Sequence, residues 1–395
     1  ECKPQECLAW LEQANMFTMA LDLRGEWYRY HHLFRDLLRN ELARQFSTAE
    51  IDTLHSRAGA WFAQQGSLEE ALHHMLRGHD TSAAVRLLAE HRHELMASEQ
   101  WQLQERILRR FPAETVAQYP ELMLTAAQIA SLKRTDWEHY VDRLDQAESL
   151  LAQIPDQPEH AVHLQGEIDA LRSLYAYETA TDPESAITFA QRALANTPRA
   201  WYYVRSHAWL YLTAAYQAIG QLDQAYAVLA KGQPEDVAQN GAVYARLAGS
   251  RCFVDWIAGD LQTIPRGAHQ ILAVAKQHKR RESLGWAHYL LSSVAYERND
   301  LTTAEAHATV AVEMRYLGRS IAYLQSAFIY ASICQARGQA DQAQRKIEMT
   351  FEFLSETHSE GLVPLAQAFQ AEMAARQGDL GAARHWATTI GPFLP

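Results

Sequence analysis

WLYLTAAYQAIGQLDQAYAVL, Trp209 to Leu229, decides how the whole chain reads. At its centre GQLDQA (Gly220 to Ala225) places a turn glycine five residues ahead of an alanine. The signature returns as GDLQTI (Gly259 to Ile264), NDLTTA (Asn299 to Ala304), GQADQA (Gly338 to Ala343) and GDLGAA (Gly378 to Ala383), at spacings of 39, 40, 39 and 40 residues. Counting back 39 from Gly220 reaches TDPESA (Thr181 to Ala186). TDWEHY (Thr135 to Tyr140) lies another 46 back, the excess falling in the proline-containing loop IPDQPEH. Near-equal intervals of this kind are the mark of a repeat protein.

Each unit reads as one helical hairpin. The Gly or Asn ends the first helix in a left-handed conformation. The Asp that often follows caps the second helix, and the alanine lets two helices approach closely. One hairpin cannot bury its own apolar face, so the units stack into a solenoid. Composition agrees, because only 12 Pro and 18 Gly interrupt 395 residues rich in helix formers. The unit with Trp209, Leu212, Thr213, Tyr216, Gly220, Ala225 and Leu229 resembles the tetratricopeptide pattern W-x2-L-G-x2-Y…A-x3-F. The period is longer than in that family, so the helices are expected to be extended. Other units depart from the pattern: Ala248, Arg251 and Asp255 stand where the aromatic, leucine and tyrosine would.

The chain is too long for one compact core and suits several domains or an extended array. Its formal charge of −11 makes it a poor nucleic-acid binder by itself. Four cysteines (Cys2, Cys7, Cys252 and Cys334) form no CxxC pair, so a reducing cytoplasmic home is expected. No window approaches 18 apolar residues, so no membrane role is expected. The first residue is Glu, with no leader, so a piece of a longer protein is expected.

The N-terminus carries the β signal. MFTMALDL (Met16 to Leu23) and EWYRY (Glu26 to Tyr30), split by Arg24-Gly25, predict a hairpin. CLAWLEQAN before it predicts a short helix ending at Asn15. His31 to Phe46, with apolar residues at 33, 34, 37, 38 and 42, predicts a helix after it. Helix, hairpin, helix is the outline of part of a winged helix. The stretch from Leu54 to Leu95 predicts three short helices punctuated by Gly66 and Gly78, and its GSLEEA is a small copy of the turn signature.

The text LEQANMFTMALDLRGEWYRYHHLFRDLLRNEL, followed by LHSRAGAWFAQQGSLEEALHHMLRG, resembles the MalT-like, LuxR-type ATP-dependent transcription regulators of the signal-transduction NTPase class. Leu11, Ala14, Asn15, Phe17, Trp27, Tyr28, Arg29, Tyr30, His31, Leu33, Phe34, Asp36, Leu37 and Leu38 match that family's text, as do His55, Trp61, Gly66, Glu70 and Ala71. The dense match covers about residues 8 to 80. The resemblance implies an order: P-loop ATPase core, winged helix, helical arm, superhelical inducer sensor, then a C-terminal DNA-binding helix-turn-helix. No G-x4-G-K-[ST] occurs here, and HWATTIGPFLP holds no helix-turn-helix text. The chain is therefore expected to be the sensing half of such a regulator.

The fold expected is mainly α: a tetratricopeptide-like superhelix with a small N-terminal winged-helix (α+β) piece. The expected division is 1–47 winged helix, 48–119 helical arm or connector, and 120–395 sensor. His31 has two readings. One is a core histidine opening a helix, with His32 on the surface. The other comes from the resemblance, in which a winged-helix histidine contacts the β-phosphate of bound ADP at a helix start. A zinc site from His31, His32, His73 and His74 lacks ligand spacing.

First helices of such repeats line a groove. Measured back from each turn, the groove series is Arg246, Gly249, Phe253 and Trp256, then Trp286, Tyr289, Ser293 and Tyr296, then Gln325, Phe328, Ser332 and Gln335. Packing between repeats explains any single aromatic. The cluster, with planar hydrogen-bonding groups around it, suits a sugar or other small polar organic ligand. KQHKRRE (Lys276 to Glu282) reads as a solvated helix end. No nucleophile–base pair or carboxylate dyad stands out, so no enzyme is expected.

The expected function is inducer sensing: a small molecule binds the groove, and the signal passes to ATPase and DNA-binding domains outside this chain. No cofactor is expected in the chain itself, with ATP or ADP belonging to the full-length protein. DNA would be met only through a further C-terminal domain, and self-association on activation is a further expectation. The alternative is a scaffold whose groove takes a peptide or regulatory protein.

Overall fold

The computed structural model describes residues 10–11, 14, 17–22, 27–133, 137–152, 158–179, 182–232, 241–316 and 320–389. The chain forms two compact units, 1–88 and 89–395. The boundary falls inside the helix Thr81–Ala97, within the segment read as a connector.

In the first unit, strands Thr18–Ala20 and Tyr28–Tyr30 pair antiparallel, with Met19 opposite Arg29. The turn expected at Arg24-Gly25 and the helix end at Asn15 lie outside the described residues. The helix His32–Gln45 follows at once. Phe17 stacks on Phe34 at 5.3 Å, which ties the hairpin to that helix.

The next helix, Thr48–Gln64, starts on a capping box. The Ser47 hydroxyl accepts the Glu50 N–H, and the Glu50 carboxylate accepts the Ser47 N–H at 2.8 Å. Gly66 (φ +71°) turns the chain into Leu68–Arg77, and Ala71 is wholly buried, so GSLEEA does repeat the turn signature. The second breaker is not Gly78, whose φ is −86°, but His79, at φ +56°. Gly78 is needed for a close approach: a Cβ there would meet the Asp52 carbonyl oxygen at 2.9 Å.

The second unit contains seven helical hairpins among the described residues. They are Pro120–Lys133 with Tyr140–Leu151, Pro158–Glu178 with Pro183–Asn196, Tyr202–Ala218 with Leu222–Gly232, Gly241–Ile257 with Ile264–Gln277, Arg281–Glu297 with Leu301–Glu313, Ser320–Ala336 with Ala340–Glu356, and Val363–Arg376 with Leu380–Thr389. Four consecutive first helices, from Tyr202–Ala218 to Ser320–Ala336, are 17 residues each, which accommodates the long period.

The turn logic holds residue by residue. Gly220, Gly259, Gly338 and Gly378 have φ between +73° and +89°, and Asn299 has φ +57°. Asp182, Asp300 and Asp379 accept the backbone N–H three residues on, at 3.0–3.1 Å. The residue five beyond the turn is wholly buried as Tyr140, Ala186, Ala225, Ile264, Ala304 and Ala343. Trp209, Leu212, Ala225 and Leu229 share one core cluster, as the tetratricopeptide pattern requires.

Where the pattern is lost, a polar network replaces it. Asp255, 2% exposed, pairs with Arg251 at 2.8 Å. It also accepts the Tyr226 hydroxyl at 2.9 Å and the Thr263 hydroxyl at 2.8 Å. A buried carboxylate satisfied on several sides is tolerated where an isolated one would not be. At the start of the unit, Arg92 and Glu167, both almost wholly buried, form a bidentate pair at 2.5–2.6 Å. Gln128 donates to the same carboxylate at 2.6 Å, so three helices meet on one charge.

Candidate functional site: a cavity between first helices

The first helices of neighbouring hairpins pack against one another from Pro158–Glu178 to Ser320–Ala336. Between them lies a cavity of about 330 Å³. Five successive first helices supply its wall, which includes Tyr177 and Glu178, Tyr211 and Gln217, Arg246 and Phe253, Glu282, Ser283 and Trp286, and Gln325. Glu99, just after the helix Thr81–Ala97, completes it.

Of the sequence-derived groove residues, the structure brings together Arg246, Gly249, Phe253, Trp286 and Gln325. Phe253 and Trp286 meet edge to face at 5.8 Å. Arg246 donates to the Ser206 hydroxyl, and its guanidinium lies 4.7 Å from the Tyr203 ring centroid. Gln325 presents a buried Oε1 with no hydrogen-bond partner among the described residues.

The other aromatics of the series, Trp256, Tyr289, Tyr296 and Phe328, lie outside the wall, as do Ser293, Ser332 and Gln335. Trp256 and Tyr289 pack against the core of the Gly241–Ile257 and Arg281–Glu297 hairpins. The Tyr296 hydroxyl accepts from Arg376 at 3.1 Å, and Phe328 stacks on Phe369 at 4.0 Å. The reasons are rotation around the helix for Tyr289 and Phe328 and distance along it for Trp256 and Tyr296. Successive steps of three and four residues slowly rotate around a 3.6-residue helix. On Arg281–Glu297 the wall is Glu282, Ser283, Trp286 and Leu290, and nothing nearer its C-terminus.

Several wall residues had no place in the sequence reading. Leu210 and Ala214 sit in the same register one repeat earlier, so extending the series back from Arg246 would have reached them. Glu99 had no local signal. It takes φ +58° at the end of its helix and lays its carboxylate on the first turn of Arg281–Glu297. There it accepts the Glu282 N–H at 2.8 Å, the Ser283 N–H at 3.3 Å and the Ser283 hydroxyl at 2.6 Å. Burial, then the neighbouring Glu282, push the Glu99 carboxyl above the usual carboxylate range, and the hydrogen bonds offset only part of that. Glu178 accepts the Tyr211 hydroxyl at 2.7 Å.

His31 lies at the N-cap of His32–Gln45, half-buried, with its ring 6.5 Å from Phe17, while His32 is exposed. Its Nδ1 has no hydrogen-bond partner among the described residues. In the basic run, the helix ends at Gln277 and Lys279 turns the chain at φ +54°; Lys276, Lys279 and Arg281 are exposed. Among the described residues no three His, Cys, Asp or Glu side chains gather to hold a metal. No described helix is long and apolar enough to cross a membrane.

The sequence profile of the MalT-like TPR region matches residues 166–393, and that of the MalT winged helix domain matches residues 1–50. The chain belongs to the MalT-like family. Among solved structures, this MalT-like chain is similar to a Signal Transduction ATPase with Numerous Domains (STAND) protein with a tetratricopeptide repeat sensor from Pyrococcus horikoshii. That match has a TM-score of 0.48 at 12% identity and covers 90% of this chain and 59% of the other. The chain thus spans under two thirds of that protein's length. It is also similar to yeast Tom70, with a TM-score of 0.39 at 12% identity, covering 96% of this chain and 91% of the other.

Proposed function

We propose that the MalT-like chain is the inducer-sensing region of an ATP-dependent transcription activator, and that its inducer is a small molecule held in the cavity between the first helices. One observation carries this reading. Five successive repeats and a residue from before the array enclose about 330 Å³ with aromatic rings and a few polar groups, the make-up of a small-molecule site. Arg246, Phe253, Trp286 and Gln325 are the contacts assigned to the ligand. Trp256, Tyr289, Tyr296 and Phe328 are given the packing role.

The same geometry supports a relay. Glu99 joins the segment before the array to a helix of the cavity wall. A ligand that binds one arrangement of this contact better than another shifts the population between them. In the full-length protein, the shift passes to an ATPase core that binds ATP or ADP, with His31 at the nucleotide, and to a DNA-binding domain. Calorimetric titration of the chain with an inducer panel of sugars and other small polar compounds tests the proposal. A saturable heat lost in Trp286→Ala is expected. A chain that retains a protein partner and gives no heat with any compound would instead identify a scaffold.

A further inference from the structure

The cavity wall carries more negative than positive charge. Three carboxylates (Glu99, Glu178 and Glu282) face one guanidinium (Arg246), a formal excess of two negative charges. Glu282 is 7% exposed, and Glu99 and Glu178 are half-buried. Glu282 lies close enough to Glu99 to oppose its ionisation. The Trp286, Tyr211 and Phe253 rings belong to the same wall.

A sheltered carboxylate group and an aromatic face stabilise the same kind of ligand. A cation gains Coulomb energy from the first and the ring quadrupole from the second. A carboxylate or phosphate entering this wall meets repulsion from both. The Gln325 Oε1, buried without a partner among the described residues, offers an acceptor to an N–H donor.

Resting on the ligand-binding reading above, we infer that the cavity takes an organic ammonium compound, its charged head among Glu99, Glu178 and Glu282 and its apolar body against Trp286 and Phe253. Such an occupant neutralises the repulsion between Glu99 and Glu282. It thereby tightens the hold of Glu99 on the helix Arg281–Glu297, so ligand charge and relay are one event.

The test is calorimetric titration of the 395-residue chain with three near-isosteric probes: tyramine (cation), 4-ethylphenol (neutral) and 4-hydroxyphenylacetate (anion). Tyramine is expected to bind about tenfold tighter than 4-ethylphenol, and the anion not at all. Glu178→Gln, checked for fold by circular dichroism, should remove most of the cation's advantage and leave 4-ethylphenol unchanged. Equal binding of tyramine and 4-ethylphenol, with both lost in Trp286→Ala, would overturn the charge assignment and leave the small-molecule reading standing. Tyramine silent to about 10 mM while a neutral sugar binds would do the same. Tyramine binding that survives Trp286→Ala unchanged would overturn the location itself.

Discussion

The carboxylate of Glu99 accepts the hydroxyl of Ser283 at 2.6 Å, across 184 residues of sequence. The contact makes Glu99 a cap for a helix that its own segment does not belong to. It also fixes one edge of the cavity.

Glu99 sits in the left-handed region at φ +58°, so the cap is held at a backbone cost. Glu99→Ala loses the cap and keeps the strain, whereas Glu99→Gly loses the cap and relieves it. Both should lower stability, with Ala worse than Gly by about 1 kcal/mol. Urea denaturation midpoints measure the difference. Equal midpoints would mean that the conformation costs nothing.

The repeat turns separate two kinds of glycine. Gly220, Gly259 and Gly338 have positive φ and open space around the position of a Cβ, so each Gly→Ala change should cost about 1 kcal/mol from the backbone alone. Asn299 occupies the equivalent turn at φ +57°, and Asn299→Gly should be neutral or mildly stabilising. Gly267 has no such turn, but a Cβ there would meet the Cys252 sulfur at 2.6 Å. Gly267→Ala should therefore cost about 1–3 kcal/mol through overpacking. The order of chemical denaturation midpoints checks the set.

A histidine pair makes stability depend on pH. His288 and His307 face each other with Nδ1 atoms 2.9 Å apart. Burial, then His307, push His288 down to about 4. The folded value lies below the ordinary one of about 6.5, so the unfolded chain binds the extra proton. The pair's contribution is whole above pH 6.5 and lost as pH falls towards 4. Melting temperature should fall between pH 7 and pH 4.5, and His288→Gln should flatten part of that slope. An unchanged slope in the variant would remove His288 from the account.

The solenoid was legible in the sequence because its turns demand particular residues. A left-handed position takes Gly or Asn, a helix start takes Asp, and a close helix crossing takes Ala. These local requirements recur every 39 or 40 residues. The exception at His79, a non-glycine in the same conformation beside Gly78, shows the limit: tertiary crowding against Asp52 claimed the glycine.

The candidate site was half legible. Arg246, Phe253, Trp286 and Gln325 follow from the register of the first helices. Tyr289 and Phe328 stand one three-residue step around the helix from Trp286 and Gln325, and Trp256 and Tyr296 occupy the penultimate positions of their helices. Glu99 was invisible, because its role comes from the path of the superhelix rather than from its neighbours in sequence. Glu178 and Glu282 read as ordinary charges on helix faces until packing enclosed them.

The contrast between two tryptophans tests the central claim most directly. Trp286 lines the cavity, and Trp256 packs against the neighbouring core. With any compound that binds the chain in calorimetric titration, Trp286→Ala should weaken binding by about tenfold or more, and Trp256→Ala should leave it within about twofold. Binding that survives Trp286→Ala and is lost in Trp256→Ala would contradict the assignment of the cavity as the ligand site.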